Sequence, residues 1–206
     1  MDRSFRVGIT RDFLKLDGTV GFGDIRLDLL DEAGIAREFL AEDVRELRAD
    51  QVSGYDALLV LAPRVTAATL AGAERGLPAL IARFGVGYDS VDVDACTTAG
   101  VLLTITPEGV RRPVASSIMA LTLALAHRLP IKDRLTRTGR WGEKLDHMGI
   151  GLTGRVLGSI GLGNIGREMF ALARPFGMRH RAYDPFVAPE AAAAMGVELV
   201  GLEDLL

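Results

Sequence analysis

The first half of the chain alternates between short apolar runs and segments in which apolar residues recur at helical spacing. The apolar runs predict strands at 5–9, 35–40, 57–62, 79–84 and 101–106. Between consecutive strands the spacing predicts helices at 25–33, from Asp43 to Leu47, after an N-cap at Thr66, and at 91–98. An uninterrupted apolar strand such as 57–62 is typical of burial on both faces of a parallel sheet. The alternation therefore predicts one parallel α/β unit over residues 1–105.

The second half begins with a segment punctuated by proline and glycine at 106–109, which predicts a crossover between two domains. Residues 114–129 are then apolar nearly all round, the pattern of a buried helix, with Pro113 in its first turn. Residues 132–151 are charged and rich in glycine around Trp141, and they show no periodic core pattern. A tryptophan in such an arm is often an interface anchor, which indicates an oligomer contact.

A glycine motif organises the remainder of the chain. An apolar run ending at Ile160 leads into Gly161, Gly163 and Gly166 in the spacing G-x-G-x-x-G, and an apolar helical segment follows. A second strand then ends in Asp184. This order of strand, glycine turn, helix, strand and acid is typical of a dinucleotide-binding unit, because the glycines permit a tight turn, the approach of a pyrophosphate and close helix–strand packing. The flanking features favour a nucleotide site over a purely structural glycine turn.

A second candidate site is the loop Gly85–Val86–Gly87, which follows the predicted strand at 79–84. Its small residues leave backbone N–H groups free at the carboxyl end of a parallel strand, where open α/β sheets bind ligands. Such groups suit a carboxylate. A tight turn, with Asp89 or Ser90 capping the next helix, is the alternative, and the local features leave both open.

Composition argues against several classes of function. A net charge of -3 and a pI of about 5.7 give no basic footprint for nucleic acid. The single cysteine, Cys96, excludes an internal disulfide framework and fits a reducing compartment. The longest uncharged apolar-rich run, at 113–127, is too short to span a bilayer, and no secretory signal is visible. The chain is therefore expected to be soluble and cytoplasmic, with no nucleic-acid or membrane partner.

Several stretches within residues 83–186 resemble the D-isomer-specific 2-hydroxyacid dehydrogenases, the family of phosphoglycerate dehydrogenase and glyoxylate/hydroxypyruvate reductase. They are RFGVGYDSVDVDACTTAGV, TPEGVRRPVASSIMALTLALAHR, the G-R-W at Gly139 to Trp141, LTGRVLGSIGLGNIGREM and FGMRHRAYDP. The resemblance implies a flavodoxin-like substrate domain over 1–105 and a partial Rossmann NAD-binding domain with a parallel sheet over 106–206. It also implies NAD-dependent oxidation of a D-2-hydroxy acid, or reduction of the 2-keto acid, in a homodimer formed through the second domain.

The resemblance assigns residues to both sites. The backbone around Val86 and Gly87 would hold the substrate carboxylate, and Asn164 and Ile165 would lie against the pyrophosphate of NAD. The full set of cofactor-binding residues that we expect is Gly161, Gly163, Asn164, Ile165, Gly166 and Asp184.

Asp184 predicts NAD rather than NADP. A carboxylate at the end of this strand accepts hydrogen bonds from the ribose hydroxyls of NAD and repels a 2′-phosphate. Arg181, the nearby cation in the sequence, points to the opposite face of the strand.

The chain also departs from the family pattern. The family's catalytic arginine, glutamate and histidine come from the later half of the NAD-binding domain, and this sequence ends at Leu206, before them. His127, His147 and His180 match none of the motifs and have no metal-site or triad spacing, so no catalytic residue and no metal ligand is assigned. We therefore expect a C-terminally truncated member, with the activity of these residues alone left open. A catalytically inactive NAD-binding or regulatory paralogue is the alternative.

Two further departures concern single positions. His180 and Arg181 lie where a central parallel strand is normally apolar, so both are expected to need partners. Ser116 stands where many relatives carry an acid, and its hydroxyl is interpreted as a capping or packing group.

Overall fold

The computed structural model describes residues 4–72 and 76–206, which divide into two compact units. The first unit ends at Pro107 and the second begins at Glu108. Each unit is built on a parallel β-sheet of its own. The predicted fold class, α/β with parallel sheets, is therefore confirmed.

The first unit alternates strands with short helices, as the apolar runs predict. Its elements are β1 (Arg6–Ile9), α1 (Asp28–Glu32), β2 (Ala36–Phe39), α2 (Ala49–Val52), β3 (Ala57–Val60), α3 (Ala67–Leu70), β4 (Leu80–Arg83), α4 (Val93–Ala99) and β5 (Leu102–Ile105). A 3₁₀ turn at Arg11–Phe13 follows β1.

The sheet of the first unit has the strand order β2-β1-β3-β4-β5, and all neighbours are parallel. This is the order of flavodoxin-like doubly wound folds, in which ligands bind outside the carboxyl ends of the strands. Strand β3 is buried on both faces, because Leu58 and Val60 enter one hydrophobic cluster while Ala57 enters another.

The segment after β2 is not the helix that its spacing predicts. Residues 41–48 are non-helical, and Glu46 forms a parallel bridge with Arg64. The N–H of Leu47 donates to the carbonyl oxygen of Arg64 at 2.9 Å, and the Leu47 side chain is buried. Tertiary pairing therefore holds the backbone extended, and α2 begins only at Ala49.

The second unit contains the longer helices and a three-stranded sheet. Its elements are α5 (Pro107–Ala126), α6 (Leu129–Arg137), a 3₁₀ segment (Trp141–His147), β6 (Val156–Ile160), α7 (Asn164–Ala173), a 3₁₀ turn (Arg174–Phe176), β7 (Arg179–Tyr183), α8 (Pro189–Ala194), β8 (Val197–Leu199) and α9 (Leu202–Leu205). The strands pair in the parallel order β6-β7-β8. Among the described residues β6 therefore pairs only with β7.

Helix α5 begins earlier than predicted. Pro107 and Gly109, expected in a crossover, belong to its first turns, so Pro113 lies inside the helix. The prediction that Pro113 begins the helix is wrong because Pro107 already occupies that end, where a missing N–H costs nothing. The hydroxyls of Ser116 and Ser117 donate to the carbonyl oxygen of Pro113 at 2.9 and 3.0 Å.

The predicted burial of α5 on all sides is also wrong. Ala115 and Met119 are buried in the core of the second unit. Leu121 and Leu125, however, are 66% and 75% exposed. An apolar pattern identifies the helix, but it does not say whether another part of the same unit covers each face.

Strand β7 accommodates its two basic residues in different ways. Arg181 donates from Nε to Oε2 of Glu198 on β8 at 2.8 Å. The buried ring of His180 packs on Phe170, with 4.8 Å between ring centroids. Its Nε2 has no hydrogen-bond partner among the described residues, and burial lowers the pKa of His180, with a smaller contribution from Arg174. The expectation that both residues need partners thus holds for Arg181, which pairs with Glu198. His180 is instead held by packing on Phe170.

In the part of the chain that the structure describes, no single helix has the length and apolar character to cross a bilayer. Helices α5 and α6 meet that criterion only as a pair, and they are bent by 62° at their junction.

Candidate functional site

The glycine turn between β6 and α7 has a separate physical requirement at each glycine. Gly161 has a φ of +97°, which side chains rarely adopt. A Cβ on Gly166 would lie 2.8 Å from the carbonyl oxygen of Gly161, so the close packing of helix on turn requires its absence. Gly163 has a φ of -76°, and a Cβ there would meet nothing within 4 Å. Among the described residues, no atom would therefore clash with a side chain at 163, whereas a ligand close to the backbone would.

The first residues of α7 carry free donors. Within the described ranges, the backbone N–H groups of Gly163, Asn164 and Ile165 have no protein acceptor. They stand at the N-terminus of a helix of ten residues, where the helix dipole also favours negative charge. This arrangement matches the donor set that binds a phosphate or pyrophosphate.

Asp184 contacts the glycine turn directly. Its Oδ2 accepts from the N–H of Leu162 at 2.7 Å, and its Oδ1 accepts from the N–H of Phe186 at 2.9 Å. Those two bonds, the one from Leu162 first, lower the pKa of Asp184 below its ordinary value. The structure therefore brings together the glycines and the acid that the sequence predicts as one site, with the carboxylate ionised at neutral pH.

Two residues that the sequence analysis did not identify also hold this turn. Ser159 donates from Oγ to the carbonyl oxygen of Gly161 at 2.8 Å, and Arg167 donates from Nε to the carbonyl oxygen of Leu162 at 2.9 Å. The positive charge of Arg167 is also among the causes that lower the pKa of Asp184. In the sequence they are distinguished only by their positions on either side of the glycines. Ser159 lies near the end of β6, and Arg167 lies in the first turn of α7.

The loop after β4 has the open backbone expected of an anion site. The N–H groups of Val86 and Gly87 have no acceptor among the described residues, and both residues are exposed. Gly85, with a φ of +137°, donates from its N–H to Oγ1 of Thr106, the residue that follows β5, at 2.8 Å. The carboxyl ends of β4 and β5 thus anchor the loop on one side.

The alternative interpretation of this loop, as a turn that caps the next helix, assigned the cap to Asp89 or Ser90. The structure gives that role to Asp92, whose Oδ1 accepts from the N–H of Ala95 at 2.9 Å. The sequence analysis also overlooked Arg83. Its guanidinium donates to the carbonyl oxygen of Phe84, which brings a positive charge to the loop.

The three histidines do not form a cluster with other metal-ligating side chains. Among the described residues, no group of three or more His, Cys, Asp or Glu side chains could hold a metal ion. His180 is buried in β7, while His127 and His147 lie after α5 and in the 3₁₀ segment.

The chain is similar to several known proteins. Residues 119–206 match the family model "D-isomer specific 2-hydroxyacid dehydrogenase, NAD binding domain". D-3-phosphoglycerate dehydrogenase from Archaeoglobus fulgidus is 35% identical over 180 residues, which cover 87% of this chain and 34% of the relative. The same-named protein of Mycobacterium bovis is 40% identical over 152 residues, 73% of this chain and 28% of the relative. The chain thus spans about a third or less of the length of these curated relatives.

Solved structures share the fold over nearly the whole chain. The TT0316 protein from Thermus thermophilus matches with a TM-score of 0.78 and 28% identity, covering 98% of this chain and 61% of that one. The apo-structure of D-lactate dehydrogenase from Escherichia coli matches with a TM-score of 0.72 and 25% identity, covering 98% and 62%.

Proposed function

Because this chain belongs to the D-isomer-specific 2-hydroxyacid dehydrogenases, we propose that it forms the substrate-binding and NAD-binding parts of an enzyme that oxidises a D-2-hydroxy acid or reduces the 2-keto acid. Residues 1–105 serve as the substrate domain and residues 106–206 as the NAD-binding domain. The observation that carries the proposal is the contact between the glycine turn and Asp184, in which Leu162 donates to the carboxylate at 2.7 Å.

The residues of the second unit fit NAD. The free N–H groups of Gly163, Asn164 and Ile165 bind the pyrophosphate, and the open space at Gly163 admits its close approach. The ionised Asp184 accepts hydrogen bonds from the adenosine ribose. When bound, NAD supplies the hydride acceptor or donor, and the protein contributes binding and orientation.

The residues of the first unit fit the carboxylate of a 2-hydroxy or 2-keto acid. Val86 and Gly87 present free N–H groups, and Arg83 places a positive charge at the same loop. A carboxylate held by two backbone donors and a nearby cation is fixed in orientation by charge-assisted hydrogen bonds. The loop therefore orients the substrate through its carboxylate, which 2-hydroxy and 2-keto acids have in common.

The negative charge of Asp184 selects NAD over NADP. A 2′-phosphate would meet that charge and lose the hydrogen bonds that the ribose hydroxyl makes. Arg181, whose guanidinium is paired with Glu198, does not compensate for this repulsion.

The second unit also presents a surface that suits a second copy of the chain. Leu121 and Leu125 lie one helical turn apart on α5 and are 66% and 75% exposed. Further exposed apolar side chains follow on α6 and in the arm: Leu129, Trp141, Leu145, Met148 and Ile150. Apolar surface of this kind marks interaction sites in soluble proteins, and we assign it to a homodimer interface. We place this homodimer in the cytoplasm.

Calorimetric titration of the purified chain with NAD and NADP tests the cofactor assignment. We expect NAD to bind at least about tenfold more tightly, because NADP loses one or two charge-assisted bonds. Asp184→Ala should weaken NAD binding, whereas Asp133→Ala, which removes an exposed carboxylate paired with Arg137, should not. Absence of NAD binding, equal affinity for NADP, or an Asp184→Ala variant with unchanged NAD affinity would contradict the assignment.

The reaction is tested with the protein that carries residues 1–206. NADH oxidation is measured with glyoxylate, hydroxypyruvate and pyruvate. In the reverse direction, NAD reduction is measured with each of the two enantiomers of a 2-hydroxy acid. Turnover restricted to the D enantiomer supports the proposal, whereas turnover of the L enantiomer or of none of these acids contradicts it.

A further inference from the structure

The glycine turn is held by side chains at two consecutive peptide groups. The Gly161–Leu162 peptide is bound at both ends, because its carbonyl oxygen accepts from Ser159 and its N–H donates to Asp184. The following peptide, Leu162–Gly163, is bound at its carbonyl oxygen by Arg167 and has a free N–H on Gly163. Neither Ser159 nor Arg167 needs to touch a ligand to affect this geometry.

Because a peptide group is planar, the hydrogen bond from Arg167 to the Leu162 carbonyl also restricts the direction of the Gly163 N–H. The peptide bonds of the described residues are trans, so the carbonyl and the N–H of one peptide point in opposite directions. Nε of Arg167 lies 2.9 Å from the Leu162 oxygen on one side of the Leu162–Gly163 peptide. The Gly163 N–H must therefore point away from Nε of Arg167.

We infer that Arg167 is a positioning residue of the dinucleotide site, which fixes the Leu162–Gly163 peptide so that the Gly163 N–H is already oriented toward the pyrophosphate. The inference rests on the proposed NAD-binding function. In this role Arg167 strengthens NAD binding through the hydrogen bond that its Nε donates to Leu162. Attraction between its charge and the phosphates is not required. Preorganised donors bind more tightly because the ordering cost is met before the ligand arrives.

Three substitutions at one position separate the hydrogen bond from the charge. In Arg167→Gln, the side-chain nitrogen stands the same number of bonds from the backbone as Nε, so the donor is kept and the charge is lost. In Arg167→Met, a methyl group takes that place, and both are lost. In Arg167→Lys, the charge is kept but the donor at that place is lost. Arg174→Met is the matched control, because Arg174 also donates to a backbone carbonyl, that of Met195, at 3.0 Å at the far end of the same helical segment.

The measurement is the dissociation constant of NAD and of ADP-ribose for the whole chain by calorimetry, with urea unfolding to verify that each variant folds. The Met and Lys variants should bind about fivefold to tenfold more weakly, the value of one hydrogen bond, while the Gln and Arg174→Met variants stay within about twofold. In ¹H–¹⁵N spectra, the Gly163 amide resonance should shift in the Met variant and return toward its wild-type position in the Gln variant.

The outcomes distinguish this inference from the function on which it rests. If the wild-type chain binds neither NAD nor ADP-ribose, the proposed function fails and the inference with it. If the wild-type chain binds but Arg167→Lys retains affinity while Arg167→Gln loses it, the charge acts directly and the positioning role is wrong. Equal affinity of all the variants would likewise overturn it, with the NAD-binding function intact.

Discussion

Replacing Gly166 by alanine should destabilise the second unit, although alanine is the better helix former. The added Cβ would lie 2.8 Å from the carbonyl oxygen of Gly161, well inside an ordinary carbon–oxygen contact. That oxygen cannot retreat freely, because Ser159 donates to it at 2.8 Å. The neighbouring Leu162 N–H is bound to Asp184 in the same turn. The Gly161–Leu162 peptide is therefore fixed at both ends.

The magnitude follows from two opposing contributions. Forcing an extra methyl group into a packed site costs about 1–3 kcal/mol. Alanine in place of glycine inside a helix contributes up to about 1 kcal/mol in the opposite direction, and less in the first turn. The free energy of unfolding of the second unit should therefore fall by about 1–2 kcal/mol in Gly166→Ala. NAD binding should weaken as well, because the turn must shift to relieve the contact.

Gly163→Ala is the matched control, because both variants add one methyl group to the same turn. At Gly163 the methyl group meets no atom within 4 Å and the φ of -76° suits alanine, so stability should change by less than about 1 kcal/mol. Its effect should instead appear in NAD affinity, since in the proposed site the methyl group would lie where the pyrophosphate approaches the backbone.

Urea unfolding followed by circular dichroism and by Trp141 fluorescence measures both variants, because the only tryptophan lies in the second unit. The reasoning is refuted if Gly166→Ala is as stable as the wild-type chain, or if Gly163→Ala is the more destabilised of the two.

The remaining predictions concern the core and the exposed helix of the second unit. Burial lowers the pKa of His180 in the folded chain, so the unfolded chain binds this proton more readily, and stability should fall as the pH drops below the ordinary histidine pKa of about 6.5. His180→Leu should flatten that part of the stability–pH curve measured by urea unfolding, and the exposed His127→Leu should not; equal effects of the two would contradict the assignment. Leu125→Glu on α5 should shift the chain from dimer to monomer in light scattering, whereas Leu102→Glu, an exposed leucine of the first unit, should leave the dimer intact. A monomeric wild-type chain, or an unchanged dimer in Leu125→Glu, would count against the proposed interface.

Much of this structure could be predicted from the sequence alone, because it follows from local steric rules. Apolar runs identify strands such as β3, because a parallel strand covered on both faces has no polar side to break the run, whereas β7 carries Arg179, His180 and Arg181. Gly100 and Gly177 end their helical segments with φ values of +69° and +67°, a conformation that glycine adopts without steric cost. The glycine motif and Asp184 are likewise visible, since their spacing is set by one strand, one turn and one helix.

The tertiary structure decided what depends on contacts between distant residues. Residues 41–48 are not helical because residues 45–47 pair with Arg64, a partner that helical spacing does not reveal. The exposure of Leu121 and Leu125 depends on what else packs on α5, so the same apolar pattern fits a buried helix and an uncovered one.

The candidate site was also predicted in part by the sequence and decided in part by the tertiary structure. The sequence indicates which backbone donors a pyrophosphate would meet, because free N–H groups follow from the glycine turn and the start of α7. It does not indicate how that turn is held, since the oxygens of Gly161 and Leu162 are reached by side chains of Ser159 and Arg167 that have no distinguishing pattern. Only the folded unit places these donors within hydrogen-bond distance, because β6 and α7 must first pack closely around Gly166.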